Sequence, residues 1–139
     1  LPGMIQRGGA VIQVSSLASL LPIPDFAVYA ATKACVTSFS EALRIELKEH
    51  GIEVLALCPG PVHTGFGEVA RRGENQKGMP SRELFYVAKE RVVAEAFEAL
   101  EKRRARVFPG LRTTLAAQVF SLMPMGLMRL CMSRRPRRS

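Results

Sequence analysis

The sequence predicts an α/β fold built around a parallel sheet. Two short runs, Gly9–Ser15 and Ile52–Cys58, are apolar at nearly every position, as strands buried on both faces of a sheet are. Between these runs, apolar residues recur with a helical period. Strand, long helix and strand with short connections form a βαβ unit, whose crossover joins two parallel strands. The 139 residues suffice for one modest domain.

The long helix is predicted from about Asp25 or Phe26 to His50–Gly51. Asp25 is expected to cap its start, because a short carboxylate accepts hydrogen bonds from the free amides of the first turn. Gly51 is expected to supply the left-handed residue that ends the helix. The stripe that should face the sheet consists of Val36, Phe39, Leu43 and Leu47. The preceding segment, Leu17–Pro24, is predicted to be a loop, since its prolines exclude regular helix.

The second half of the chain is less regular. Thr64–Pro80 is rich in glycine and charge and is predicted to be a loop, and a further helix is expected from about Ala88 to Arg103. The inward face of that helix should carry Val92, Ala96, Ala99 and Leu100. Arg104–Pro109 fits a short last strand. We therefore divide the chain into a domain, residues 1–110, and an apolar helical segment with a basic tail, residues 111–139.

The positive charge is confined to the C-terminal part of the chain. Residues 1–101 hold all twelve acidic residues and ten of the twenty Lys and Arg, whereas residues 102–139 hold the other ten and no acid. Nucleic-acid binding by the whole fold is therefore disfavoured, and no nucleic-acid partner is expected. Cys35, Cys58 and Cys131 show neither metal-like spacing nor a disulfide framework, which favours a reducing, cytoplasmic location.

Tyr29 and Lys33 are the candidate chemical pair. Residues at i and i+4 lie one above the other on a helix, so the Lys33 ammonium can approach the Tyr29 hydroxyl. Tyrosine alone is a poor base near neutral pH, but a neighbouring cation favours the phenolate and suits it to general acid–base catalysis. Ser16 ends the preceding strand, and Pro59-Gly60 ends the next. Parallel strands end at one edge of the sheet, where open α/β sheets place ligands, so these residues should meet there.

This pattern resembles the signature of the short-chain dehydrogenase/reductase family. The matching elements are a strand ending in Val14-Ser15-Ser16, the Tyr29-x-x-x-Lys33 spacing, and Pro59-Gly60-Pro61-Val62-His63-Thr64 after the second strand. The tyrosine–lysine spacing alone occurs often by chance, whereas the serine thirteen residues before Tyr29 and the later loop make the joint pattern specific. The resemblance implies the C-terminal part of a Rossmann-like doubly wound parallel sheet. It also implies an NAD(P)-dependent oxidoreductase acting on a carbonyl or alcohol.

The resemblance further implies a role for each matching residue. Tyr29 would exchange a proton with the substrate oxygen, and Ser16, rather than Ser15, would position and polarise that oxygen. Lys33 would favour the ionised form of Tyr29 and hydrogen-bond the nicotinamide ribose. The cofactor-binding set would consist of Tyr29, Lys33, Pro59, Gly60, Val62 and Thr64. The implied cofactor is NAD(P), with NADP(H) slightly favoured, and it carries the hydride.

The match covers only the second half of a typical family member. The glycine-rich dinucleotide turn, the residue that selects NAD or NADP and a catalytic asparagine have no counterpart in the chain. We therefore expect a chain truncated at its N-terminus, which alone would neither bind cofactor tightly nor fold cooperatively. Gly65-Phe-Gly67-Glu-Val-Ala70 fits a loose dinucleotide pattern, but it does not directly follow a strand and is not expected to bind phosphate. No metal site is expected, because neither His50 nor His63 has a cluster of further ligands.

Substrate and partners are less determined by the sequence. Six residues either line a pocket for a lipophilic ketone or secondary alcohol or only pack: Phe66, Val69, Met79, Leu84, Phe85 and Tyr86. The complete protein is expected to be a homo-oligomer. Residues 111–132 are apolar, but Arg112, Pro124 and Arg129 oppose a membrane-spanning helix.

Two interpretations of residues 111–139 stay open. They form either a peripheral contact with an anionic membrane surface or a helix that covers the sheet or a subunit interface. Two functional classes stay open as well. Ser16, Tyr29 and Lys33 favour the oxidoreductase, while the missing half leaves room for a non-catalytic interaction or membrane-surface module of the same fold.

Overall fold

The structure is a computed structural model that describes residues 2–62 and 86–133. In chain order, its elements are helix α1 (Pro2–Arg7), strand β1 (Gly9–Val14), a 3₁₀ turn (Leu17–Leu20), helix α2 (Ala27–Leu47), strand β2 (Ile52–Leu57), helix α3 (Lys89–Glu101), strand β3 (Arg106–Val107), helix α4 (Leu111–Leu122) and helix α5 (Met125–Ser133). The predicted strands and long helices are therefore present, with ends that differ by a few residues.

The strands form one parallel sheet in the order β1-β2-β3 within the described ranges. Gly9 of β1 lies opposite Ile52 of β2, and Val14 lies opposite Leu57, so the two strands run in register for their full length. The α/β fold and the parallel βαβ unit predicted from the sequence are confirmed. The carboxyl ends of β1 and β2 lie side by side at one edge of the sheet.

Helices cover both faces of β2, which explains why its sequence is apolar throughout. Leu55 and Leu57 pack with residues of α3 and β3 in one core cluster. Ile52 and Val54 face the opposite way and pack with Leu47 at the end of α2. A sheet with helices on both faces is the doubly wound arrangement, and α2 is thereby held flat against β1 and β2.

The start of α2 differs from the prediction. Asp25 does not cap the helix: its φ is 66°, and the residue that precedes the first helical turn is Phe26, without a side-chain cap. The Phe26 amide donates to the Ile23 carbonyl at 3.2 Å, which closes a four-residue turn. Pro24 takes the second place and Asp25 the left-handed third place, a combination typical of a type II turn. Asp25 therefore belongs to this turn and does not cap the helix.

The buried face of α2 also differs from the predicted stripe. Phe39 was expected to face the sheet but is 55% exposed, whereas Thr37 and Ser40 are buried. Small side chains allow the helix to approach the strands closely, so the packed face is centred on them and Phe39 lies outside it. The predicted left-handed end is confirmed, since Gly51 has a φ of 66° and follows a 3₁₀ turn, Lys48–His50.

The described part of the C-terminal segment, residues 111–133, contains α4 and α5. None of the helices in residues 2–62 and 86–133 has by itself the length and hydrophobicity that a bilayer crossing requires. Among these described helices, one pair, α4 and α5, reaches that length and composition when taken together, and the two helices meet at a bend of 116°. Thr113 and Ala117 are buried, whereas four residues spaced as one helix face are exposed: Leu111, Leu115, Val119 and Leu122.

Candidate active site

The ends of β1 and β2 bring the predicted residues to one edge of the sheet. The Ser15 amide donates to the Leu57 carbonyl at 2.7 Å, and the Leu17 amide donates to the Pro59 carbonyl at 2.9 Å. Parallel pairing therefore continues past the last strand residues. Ser16 is held between these two bonds, beside the loop that begins at Pro59.

Ser16 is half-buried and oriented by its surroundings. Its Oγ accepts a hydrogen bond from the Ala18 amide at 3.1 Å and lies 3.5 Å from the Pro59 carbonyl, to which it can donate. The first contact caps the 3₁₀ turn, which explains why the predicted loop is ordered at this point. A hydroxyl fixed in this way at a strand end can hydrogen-bond the oxygen of a small molecule.

Tyr29 and Lys33 lie on successive turns of α2, as predicted. Both are half-buried, and the Lys33 Nζ lies 5.8 Å from the centre of the Tyr29 ring. This distance places the ammonium within the range of a cation–π contact. The helix therefore holds a cation near the Tyr29 ring.

Lys33 is held to the end of β1 at two points. Its Nζ donates to the Val14 carbonyl at 3.0 Å, and its own backbone carbonyl accepts a hydrogen bond from the Ser15 hydroxyl at 2.8 Å. Consecutive residues of the strand thus bind both ends of one lysine. The chemical pair on α2 and the strand end that carries Ser16 are joined directly.

A buried polar cluster lies beneath this contact. The hydroxyls of Ser15 and Thr37 are 2.6 Å apart, and the Thr37 hydroxyl lies 3.9 Å from the Cys58 sulfur. Burial raises the pKa of the Cys58 thiol, and the hydrogen bonds from Thr37 and Ser15 oppose that rise. Cys58 is therefore an inert structural thiol rather than a reactive one.

Pro59, Gly60 and Val62 of the predicted cofactor loop are all half-buried next to Ser16. Val62 forms an isolated parallel bridge with Val87, and the Val87 amide donates to the Pro61 carbonyl at 3.2 Å. The segment before α3 thereby fixes the loop. Thr64, His63, the Gly65–Ala70 string and the predicted pocket residues before Tyr86 lie outside the described residues.

The donors and acceptors at this edge suit one end of a nicotinamide dinucleotide. The Lys33 ammonium and the Tyr29 hydroxyl can bind ribose hydroxyls, and the backbone of the Pro59–Val62 loop can bind a carboxamide. Within residues 2–62 and 86–133, no glycine-rich turn joins a strand to a helix, so the described residues do not form a cradle for the phosphates. The described residues also hold no group of three or more possible metal ligands.

Ser15 and Thr37 are the residues whose part in the site was missed from the sequence. The spacing to Tyr29 selects Ser16 rather than Ser15, and the motif does not include Thr37. Two regularities of secondary structure indicate these residues. Side chains alternate along a strand, so Ser15 must face α2 when Ser16 faces the edge of the sheet. On the helix, Thr37 lies one turn after Lys33 on the same face.

Comparison with known proteins agrees with this architecture. The family described as short chain dehydrogenase matches residues 1–75. The mouse very-long-chain 3-oxoacyl-CoA reductase is 37% identical over 86 residues, which make up 61% of this chain and 27% of that protein. A short chain dehydrogenase from Burkholderia cenocepacia, solved with NADP, superposes with a TM-score of 0.73 at 25% identity, covering 97% of this chain and 51% of that one.

A second solved structure is bound to a different cofactor. A short chain dehydrogenase from Mycobacterium paratuberculosis bound to NAD has a TM-score of 0.61 at 28% identity, covering 78% of this chain and 46% of that one. The chain thus spans about half the length of these solved relatives. The family match covers more than half of the chain and includes every residue of the predicted catalytic and cofactor-binding sets. This match, together with the likeness to solved Rossmann-like structures and the edge at which Ser16, Tyr29 and Lys33 meet, shows that the chain belongs to the short-chain dehydrogenase/reductase family.

Proposed function

We propose that the protein carrying this chain is an NAD(P)-dependent oxidoreductase that interconverts a carbonyl group and an alcohol. The observation that supports it best is the double attachment of Lys33, one turn from Tyr29, to the strand end that leads into Ser16. The family's oxidoreductases supply the reaction class.

In this proposal the chain's own residues handle the proton. The Ser16 hydroxyl hydrogen-bonds the substrate oxygen and holds it near Tyr29. In reduction the Tyr29 hydroxyl gives its proton to that oxygen, and in oxidation the phenolate takes it back. The Lys33 ammonium stabilises the phenolate through its charge. The cofactor, when bound, supplies or accepts the hydride at the substrate carbon.

The cofactor is proposed to contact Tyr29, Lys33 and the loop residues Pro59, Gly60, Val62 and Thr64. NADP(H) is preferred slightly over NAD(H); relatives solved with either one support the nicotinamide class only. The 139 residues alone are proposed to be inactive, since the described part would supply contacts to the ribose and the carboxamide but forms no cradle for the phosphates. Titrating the isolated chain with NADPH by calorimetry should give no stoichiometric binding, and tight binding would contradict this point.

The activity is tested in the full-length protein with NADPH or NADH and a ketone panel of acetone, cyclohexanone and acetophenone. Tyr29→Phe should lower kcat by about 10²–10⁴-fold while leaving NADPH affinity within a few-fold, because it removes the proton donor and keeps the ring. Val28→Ala, on the exposed side of the same turn, is the matched control and should behave as the wild type. Turnover that survives Tyr29→Phe, or no turnover of any ketone by the wild type, contradicts the proposal.

The substrate is proposed to be a lipophilic ketone or secondary alcohol. The apolar residues around the Thr64–Pro80 segment support this class, as does a mouse relative named for a very-long-chain acyl substrate. In the same panel, kcat/KM should rise from acetone to acetophenone, because a larger apolar surface leaves water on binding. A preference for acetone would contradict a lipophilic pocket.

The complete protein is proposed to be a cytoplasmic homo-oligomer. The free cysteines Cys35, Cys58 and Cys131 support a reducing compartment. Light scattering of the purified protein tests the assembly, and cell fractionation tests the location. A monomer, or a protein found only in a membrane fraction that salt does not release, would contradict the respective statement.

Peripheral membrane contact is the second candidate, either alongside catalysis or in its place. The exposed stripe of α4 supports it: Leu111 is 70% exposed and Leu122 is 84% exposed. Residues 102–139 hold ten basic residues and no acid, a charge that complements anionic lipid, at about 1 kcal/mol for each basic residue near the surface. A bent pair of largely apolar helices beside a basic tail can rest on such a surface, with the exposed stripe of α4 towards the acyl chains.

Vesicle co-sedimentation of the full-length protein tests this candidate. Vesicles with phosphatidylserine should capture the protein, and pure phosphatidylcholine should not. Leu115→Gln with Leu122→Gln, or removal of Arg134–Arg138, should release it, whereas Ile45→Gln, an exposed apolar residue of α2, should not. Capture that ignores lipid charge and both changes would contradict membrane contact. A smaller particle in light scattering after the leucine changes would assign the stripe to a second copy instead.

A further inference from the structure

We propose that Ser15 and Thr37 are positioning residues, whose paired hydroxyls set the placement of Tyr29 and Lys33 relative to Ser16. The inference rests on the proposed oxidoreductase function and adds two residues to its site. Neither side chain is expected to touch substrate, since both are buried between β1 and α2.

The hydroxyl pair connects the two elements that carry the chemistry. The Ser15 Oγ bonds both the Lys33 carbonyl, at 2.8 Å, and the Thr37 hydroxyl, at 2.6 Å. Lys33 and Thr37 lie one turn apart, so the Ser15 side chain at the end of β1 binds two successive turns of α2. Rotation or sliding of the helix along β1 would break both bonds.

The two hydrogen bonds of the Ser15 hydroxyl are linked to the reacting groups by one residue on the strand side and one on the helix side. Ser15 is bonded to Ser16 in the chain, and its amide is fixed to β2 through the Leu57 carbonyl at 2.7 Å. On the helix side, the carbonyl that accepts a hydrogen bond from Ser15 belongs to Lys33 itself, whose ammonium donates to the Val14 carbonyl at 3.0 Å. The distance between the Ser16 hydroxyl and the tyrosine–lysine pair is thus set by contacts that do not include a ligand.

Buried hydroxyls on α2 are not all equivalent. The Ser40 hydroxyl is buried as deeply but bonds the Val36 carbonyl of its own helix at 2.7 Å. It stabilises α2 without linking it to β1. Ser40 therefore separates the loss of a buried hydrogen bond from the loss of the connection between helix and strand.

The test uses kinetics of the full-length protein with NADPH and the panel ketone that is turned over fastest. Thr37→Val keeps the shape of the side chain and removes its hydroxyl, and Ser15→Ala removes the other. Each should lower kcat by about tenfold, since small misplacement of reacting groups has costs of this size or larger. Thr37→Ser restores the hydroxyl and should restore kcat, and Ser40→Ala should keep it. Activities are normalised to the folded fraction measured by circular dichroism.

The split between kcat and KM separates positioning from simple destabilisation. In Thr37→Val and Ser15→Ala the folded protein should keep the KM for the ketone within about threefold while kcat falls, because misplaced reacting groups act on the chemical step. Neither constant should change in Thr37→Ser or Ser40→Ala. An unchanged kcat in both hydroxyl deletions would overturn the inference. So would an equal loss in Ser40→Ala, or unfolding of both deletions while Ser40→Ala folds, because each assigns the pair a purely structural role.

These outcomes are distinct from failure of the proposed function. If Tyr29→Phe retains turnover, the oxidoreductase mechanism itself fails. If Tyr29→Phe is inactive and Thr37→Val matches the wild type in kcat and KM, only the positioning role fails.

Discussion

The hydroxyls of Ser15 and Thr37 lie 2.6 Å apart in the buried contact between β1 and α2. Polar groups in such a place are costly to bury unless they are paired. Here each hydroxyl satisfies the other, and Ser15 also bonds the Lys33 carbonyl. The contact therefore joins strand and helix at the level of the chemical site rather than through apolar packing alone.

This pairing predicts strong energetic coupling between the two residues. Ser15→Ala or Thr37→Val alone should lower the free energy of unfolding by about 1–3 kcal/mol, because the remaining hydroxyl loses a buried partner. The double variant should lose clearly less than the sum of the two. Urea denaturation of the four proteins measures the coupling. Additive losses would show that the two hydroxyls do not interact.

The buried thiol predicts a pH dependence of stability. Burial raises the pKa of Cys58 above its ordinary value of 9.0, so the unfolded chain loses this proton first as the pH rises. Its contribution to stability is full below the ordinary value and is lost as the pH rises through the folded-state value. Cys58→Ala should therefore lose less stability above about pH 9 than the wild type does. Thermal denaturation across the alkaline range measures the difference; identical slopes would contradict the burial effect.

Thiol labelling offers a separate prediction on the same cluster. Cys35 and Cys131 are exposed and should react with a disulfide reagent within minutes at about pH 8, whereas Cys58 should react only when the protein opens. Mild urea should raise the rate at Cys58 and leave the other two unchanged. Rapid labelling of Cys58 in the native protein would mean that the contact between β1 and α2 opens readily.

Gly110 and Gly51 form a matched pair for backbone substitutions. Both have positive φ, 88° and 66°, but an added Cβ at Gly110 would lie 2.8 Å from the Val87 Cγ2, while nothing lies within 4 Å at Gly51. Gly51→Ala should cost about 1–2 kcal/mol for the left-handed backbone alone. Gly110→Ala should cost more and should also weaken NADPH binding, because Val87 pairs with Val62 of the proposed cofactor loop. Equal costs with unchanged NADPH affinity would argue against that link.

Arg44 connects the end of α2 to β2 and to the turn that precedes β3. Its guanidinium donates to Glu53 at 2.7 Å and to two backbone carbonyls, of Val54 at 3.0 Å and Arg103 at 2.7 Å. Arg44→Lys keeps the charge but cannot make all three bonds, so it should lower the free energy of unfolding by about 1–2 kcal/mol. Lys89→Ala, in an exposed ion pair with Glu90, should change it by less than about 0.5 kcal/mol. Equal effects of the two changes would show that the fork geometry is unimportant.

Much of the βαβ unit could be predicted from the sequence, because its elements follow local rules. Apolar runs gave both strands, and Gly51 ended the helix as expected. The errors arose where two local rules competed. Asp25 suits a helix cap and also the left-handed place of a turn after Pro24, and the turn prevailed. Phe39 fits the helical period, but the small residues Thr37 and Ser40 allow a closer approach to the sheet and define the buried face.

The site could be predicted as a set of residues, but not as a set of contacts. The order of strands and helix along the sequence predicts that Ser16, Tyr29 and Lys33 meet at one edge of the sheet, because the topology alone decides which strand ends are neighbours. It did not reveal that Lys33 bonds Val14 and Ser15, because a hydrogen bond depends on the rotation of the helix about its axis. That rotation is set by packing against β2, which local patterns do not encode.

The double attachment of Lys33 has a consequence for how such a protein can change during evolution. The bonds that place the lysine span only 18 and 19 positions, and the strand β2 that completes the edge follows directly. Recombination that moves the coding sequence from β1 to β2 as one block would therefore carry Ser16, Tyr29 and Lys33 together with the contacts that place them. A change beyond Val62 would leave those two contacts of Lys33 in place.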